Sequence, residues 1–274
     1  MRRQQAVTFI ALLLLTFTSV VGARLLGSST AIAHAKTQLT ISAASSLTDA
    51  LKEVAPLYEQ SHANVTIRYN FASSGALQQQ IEQGAPTDVF ISAGTKQMNA
   101  LEQANLLVPN SRQDLLTNRL VLIVPANQSD VKNTKSLTEG QVKRIAIGNP
   151  RSVPVGQYAQ EALTNAGVWN QLQSKYVLAT NVRQVLQFVA AGNSEAGLVY
   201  LTDAKMTNKV KIAQIVPANL HSPIVYPIAV LNNSQNQAAS REFVEFLSGP
   251  TAKPVFAKYG FQMLSTNSSK LGYR

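Results

Sequence analysis

Two serine pairs, Ser45-Ser46 and Ser73-Ser74, each follow an extended apolar run and each open an amphipathic helix. The first run is Leu39-Thr40-Ile41-Ser42, and the helical pattern after its serines extends from Leu47 to Gln60. The second is Val65 to Phe71, followed past its serines by a helical pattern from Ala76 to Gln83. A helix start presents unpaired backbone N–H groups and the positive end of the helix dipole, and a serine adds a hydroxyl donor. Two such starts near each other hold an anion with no charged side chain; one alone is an ordinary N-cap. Ser46 heads an S-x-x-D pattern with Asp49, which reads as a cap, and Gly75 after Ser74 lets the backbone approach a ligand closely. Two later junctions are of the same kind. Val153-Pro154-Val155-Gly156 opens a helix at Gln157, and Thr180-Asn181-Val182-Arg183 opens the next, both offering main-chain donors. Arg183 reads as a solvated charge at a helix start, with anion contact as the alternative. Tyr200 ends a buried strand, where its hydroxyl reaches either a cleft or the core.

Catalytic equipment is sparse. The chain has no cysteine, which excludes disulfides, thiolate-ligated zinc, thiol catalysis and a lipid-modified N-terminal cysteine. Its three histidines are His34, His62 and His221, and none has a motif around it. The G-x-S-x-G elbow, H-E-x-x-H, D-x-D-x-D-G and the phosphate-cradling G-x-x-x-x-G-K-S/T loop are all missing. No catalytic residue and no cofactor is therefore assigned. The surviving enzymatic alternative is an exported serine hydrolase using Ser46 or Ser74 with His62 or His221.

The elements that must position these residues alternate. Strand-type runs at 88–92, 120–124, 144–148, 176–178, 196–200, 210–216 and 226–231 are separated by helical patterns at 96–105, 157–165 and 182–191. Helices at 238–247 and 253–259 close the chain. This alternation predicts α/β architecture with mostly parallel sheets covered on both faces, and such sheets bind ligands at the C-terminal ends of their strands. Pro56 inside the first helix predicts a kink or an early end, and 128–139 reads as a surface loop. The proline-bearing runs Leu120–Pro125 and Pro223–Leu231 read as strands passing between two lobes.

The N-terminus carries Met1-Arg2-Arg3, an apolar run from Ala6 to Val21 and an Ala33-His34-Ala35 site, the pattern of a secretory signal cleaved near Ala35, with an uncleaved anchor as the alternative. Cleavage there removes three of the 24 basic residues (Arg2, Arg3, Arg24) and none of the 14 acidic ones, lowering the net charge from +10 to +7. Basic residues are scattered, with no run of five and no aromatic interleaving, so nucleic-acid binding is not supported.

Several stretches together resemble the periplasmic molybdate-binding proteins of ABC-type importers. These are Ala43-Ala44-Ser45-Ser46-Leu47-Thr48, Phe71-Ala72-Ser73-Ser74-Gly75, Gly84 to Ala93, Asn149 to Ala159, Asn181-Val182-Arg183, Gly197-Leu198-Val199-Tyr200 and Lys258-Tyr259-Gly260-Phe261. The resemblance implies two α/β lobes, each a mixed, mostly parallel sheet flanked by helices, closing on a tetrahedral oxyanion in the cleft between them. It places residues 36–119 in lobe 1, 120–226 in lobe 2 and 227–274 back in lobe 1, after a signal peptide at 1–35. By the same resemblance Ser46 and Ser74 donate hydroxyls, Val155 and Val182 donate backbone N–H groups, and Tyr200 donates its phenol. It further implies a periplasmic, monomeric, non-enzymatic carrier of molybdate or tungstate that delivers to a membrane permease. Ser45 stands where that family commonly has alanine, Val155 replaces an alanine, and Asn149 and Asn181 stand where aspartates are common.

Neutral donors carry their own selectivity. They have nothing to accept a proton from the ligand, which favours a fully deprotonated dianion such as molybdate or tungstate over phosphate, most of which is protonated near neutral pH. Burying a dianion without countercharge demands that every oxygen be hydrogen-bonded, so donors must converge from both lobes. Sulfate meets the same donor logic and would have to be rejected by cavity size; a sulfate or other tetrahedral-oxyanion carrier is the alternative within binding proteins.

Overall fold

The computed structural model describes residues 36–264 other than Ser129; the segment read as a signal peptide lies outside the described residues. The chain begins with β1 (Thr37–Ala44), a 3-10 turn (Ser45–Leu47), α1 (Thr48–Ser61), β2 (Val65–Ala72) and α2 (Ser74–Glu82). β3 (Val89–Ile91), α3 (Thr95–Gln103) and β4 (Gln113–Thr117) follow. It then crosses through Asn118 and Arg119 into a second sheet with β5 (Leu120–Pro125), β6 (Ile145–Gly148), α4 (Pro154–Asn165) and β7 (Tyr176–Ala179). That sheet continues with α5 (Val182–Ala190), β8 (Ala196–Tyr200), α6 (Leu201–Ala204) and β9 (Val210–Ile215). Residues 216–224 lead back to the first sheet, completed by β10 (Val225–Val230), α7 (Gln237–Ser248), α8 (Ala252–Lys258) and β11 (Gln262–Met263). Both crossings fall immediately before the proline-bearing runs.

The first sheet has the order β11-β4-β10-β3-β1-β2 and the second β7-β6-β8-β5-β9. Both are mixed. Parallel pairing joins β1 to β2 and β3, and β6 to β7 and β8. The pairings of β5 and β10 are antiparallel, because these strands enter their sheets from the opposite end after a crossing. Burial explains why the runs were readable: β3, β6 and β8 are buried at every position, as expected of strands covered on both faces.

Three local readings change. α1 runs through Pro56 to Ser61 without an early end. Pro56 and Lys52 are both exposed, so the Lys52 carbonyl deprived of its helical N–H partner faces water. The segment 128–139 is not all surface: a 3-10 turn at Lys135–Thr138 buries Ser136 and Leu137. α4 begins three residues before its reading, with Pro154 in the first turn, where a fixed φ is pre-organised and the missing N–H costs nothing. No helix among the described residues is long and apolar enough to cross a membrane.

Candidate functional site

Every residue expected to touch a ligand stands at a strand-to-helix junction. Ser46 lies in the 3-10 turn after β1, and Ser74 opens α2 after β2. Val155 lies in the first turn of α4 after β6, Val182 opens α5 after β7, and Tyr200 ends β8. The structure brings all five to the wall of one small cavity. Its wall is shared between the two sheets: Ser46, Ser74 and Ala93 from the first, Val155, Val182 and Tyr200 from the second. Every residue lining it is neutral.

The helix starts are built to leave donors over. Ser73 is the N-cap of α2 and accepts from Ala76 N–H at 3.4 Å, which releases its neighbour Ser74 from capping. Asn181 caps α5, accepting from Gln184 N–H at 3.0 Å, while Gln184 Oε1 accepts from Thr180 N–H at 2.7 Å. This reciprocal cap serves the flanking amides and leaves Val182 N–H, in the first helical position, with no intrahelical acceptor. At α4, Pro154 supplies no N–H, so Val155 carries the first amide of that helix.

The hydroxyls are held by specific partners. Ser74 is fully buried, and its Oγ accepts from Ala93 N–H at 2.9 Å. Ser46 Oγ is 3.0 Å from Tyr226 Oη, and Asn118 Nδ2 donates to the same phenol at 3.2 Å. Tyr200 donates to the Ala93 carbonyl over 3.3 Å, so its donation to an ion requires releasing that long bond. Burial holds the Tyr200 phenol well above its ordinary pKa, with the neighbouring Tyr226 adding to the effect, so it remains a protonated donor. Neither Tyr226 nor Asn118 carries a sequence signal for this role; Tyr226 stands in the sequence only as the first residue of the strand-type run 226–231.

Three residues noted in the sequence have different work. Asp49 does not cap its helix: it pairs with Arg183 at 2.6 Å across 134 residues. Arg183 is half-buried and ion-paired, not a free solvated charge, and it does not line the cavity: its Nε lies 2.9 Å from Asp203 and its Nη2 donates to the Ser46 carbonyl at 3.4 Å. Gly75 approaches protein and not ligand: its N–H donates to Ser152 O at 2.9 Å, joining α2 to the loop before α4. A side-chain contact from Gln97 Nε2 to Gln157 Oε1 at 3.4 Å spans the same divide.

The hydrolase alternative finds no geometry. His62 follows the far end of α1, roughly 20 Å along the helix from Ser46. It stacks on Tyr58 and bonds to Ser61. His221 bonds to the Ser222 carbonyl beside Tyr158. Neither serine of the cavity has a histidine partner among the described residues. No group of three or more His, Cys, Asp or Glu suited to a metal ion occurs among the described residues.

The family model described as bacterial extracellular solute-binding protein matches residues 39–262. The chain belongs to this family. Among members, it is 43% identical over 227 residues to YvgL of Bacillus subtilis, provisionally named an ABC transporter substrate-binding lipoprotein; the match covers 82% of this chain and 86% of that one. It is 37% identical over 231 residues to the molybdate-binding protein ModA of Haemophilus influenzae, covering 83% and 91%. The structure of the periplasmic molybdate-binding protein of Azotobacter vinelandii superposes with a TM-score of 0.75 at 27% identity, covering 83% of this chain and all of that one. These solute-binding proteins are carriers and not enzymes, and their two mixed sheets flanked by helices are the fold described above.

Proposed function

We propose that this solute-binding protein is the substrate-binding component of an ABC importer, that it captures molybdate, and that tungstate binds through the same donors. The observation that carries the reading is the cavity itself: neutral N–H and O–H donors from both sheets, with no charged or basic group in its wall. Such a site has no acceptor for a ligand proton and so selects a dianion, and the molybdate-binding relatives supply the identity of that dianion. Ser46, Ser74 and Tyr200 donate hydroxyls, and Val155 and Val182 donate backbone N–H groups. The segments 36–119 and 227–274 are read as one lobe and 120–226 as the other, although Val225 and Tyr226 already pair with β4 in the first sheet. Their closure over the ion creates the surface offered to a membrane permease. The protein acts as an exported monomer in the periplasm, processed near Ala35.

Calorimetric titration with molybdate, tungstate, sulfate and phosphate, each alone, tests the assignment. Tight binding of the first two and none of the others is expected; silence with all four would overturn it, and tight sulfate binding would move it to the sulfate carriers. The mass of the exported protein reads the processing site.

A further inference from the structure

Of the serines lining the cavity, Ser46 and Ser74 are alike in one respect: each has its hydroxyl oxygen engaged from behind by a side-chain or backbone partner. For Ser74 the partner is an unambiguous donor, the Ala93 N–H. For Ser46 it is a phenol, which either gives or takes a proton. The direction is set one step further back. Asn118 Oδ1 accepts from Arg119 N–H at 2.9 Å, which fixes the orientation of the amide. Asn118 Nδ2 therefore points at Thr202 Oγ1 (2.9 Å) and Tyr226 Oη (3.2 Å), and donates to both. With one side of the Tyr226 Oη taken up by Asn118, its single proton is left to seek an acceptor, and Ser46 Oγ stands 3.0 Å away. Ser46, accepting from Tyr226, then has its own proton free for the cavity.

We infer that Tyr226, oriented by Asn118, is a positioning residue that donates to Ser46 and so turns the Ser46 proton toward the cavity. The inference rests on the oxyanion-binding reading given above. Both residues belong to the connections between sheets: Asn118 in the crossing from β4 to β5, Tyr226 at the start of β10 after the return crossing. Tyr226 is fully buried, as is Ser46 to within a few per cent, so water does not compete for either hydroxyl. Uncommitted, the Ser46 hydroxyl would split its time between donating and accepting. Committed, it needs no reorientation when an anion arrives.

A double-mutant cycle tests this, with molybdate titrated into the wild type, Tyr226→Phe, Ser46→Ala and the double variant. Tyr226→Phe is expected to weaken binding by about tenfold, the range of one hydrogen bond. In the Ser46→Ala background the same change is expected to have no further effect, because Tyr226 acts through Ser46. A role in packing alone would give additive losses, and that outcome overturns the inference. Asn118→Ala provides a second route that leaves the phenol in place: a loss of about threefold in the wild type and none with Ser46→Ala. A wild type that binds no oxyanion would instead defeat the functional reading, and this inference with it; binding with additive losses defeats the inference alone.

Discussion

A buried serine that accepts from a backbone amide cannot be shortened without consequence in two places. Ser74→Ala removes a cavity donor and also orphans the Ala93 N–H, which is enclosed with it. Ser46→Ala removes a donor and leaves the Tyr226 phenol without its acceptor. Each substitution is expected to weaken molybdate binding by about 1–3 kcal/mol, and Ser74→Ala also to lower the ligand-free melting temperature, since an unsatisfied buried N–H costs about 1–3 kcal/mol. Titration and thermal melts check both; unchanged affinity in the two variants would refute their place in the site. At this scale the sequence was legible where residue type states the chemistry. A serine after a strand and before a helix offers a hydroxyl either to cap the helix or to meet a ligand. The partnership of Asp49 with Arg183 was illegible because it joins residues 134 positions apart, and a local capping pattern offered Asp49 a nearer explanation.

Elements were readable from residue type: even β2, β7 and β9, with one buried residue each, show as runs rich in Val, Ile and aromatic residues. Strands enclosed on both faces are written as continuous apolar runs, and helices with one buried face as periodic ones. β4 was not seen because Gln113-Asp114-Leu115-Leu116-Thr117 has only two apolar residues, neither of them β-branched, and β11 is two residues held by pairing to β4. The short α6 was also missed, and it carries Asp203, whose side chain is fully buried behind the cavity. Loss of water pushes the Asp203 carboxyl up to about 7, a displacement that the charge of Arg183 reduces and that of Asp49 increases. The unfolded chain releases this proton near 4 and the folded protein keeps it to about 7. Between those values the folded state holds the extra proton, so the contribution of Asp203 to stability is full below about 4 and is lost as pH rises through about 7. The ligand-free melting temperature should fall from pH 5 to pH 8, and Asp203→Asn should flatten that slope. An equal slope in the variant would assign the dependence to other groups.

At the scale of the whole molecule, the donors belong to two sheets, and their convergence depends on how closely α2 approaches the loop before α4. Gly75 sets that distance. Its N–H reaches Ser152 O at 2.9 Å, and a Cβ at this position would stand 2.4 Å from the same oxygen, well inside contact. The obstacle is backbone and not a side chain that can swing aside, so Gly75→Ala forces the two sides apart. All five proposed ligand donors remain, yet Ser46 and Ser74 are then separated from Val155, Val182 and Tyr200. Gly75 has no positive φ and occupies the first turn of α2, where alanine is the better helix former. The substitution therefore affects folding and binding in opposite directions: a ligand-free melting temperature unchanged or raised, with molybdate affinity reduced by about tenfold or more, the scale of an overpacked contact. General destabilisation would lower both, and loss of a ligand donor would leave the compaction on binding intact. X-ray scattering with and without molybdate distinguishes these, because Gly75→Ala should show less compaction than the wild type at saturating ion. Full affinity in Gly75→Ala would mean that the ion is held without this approach, and that the two sheets do not have to meet at Ser152 to bind it.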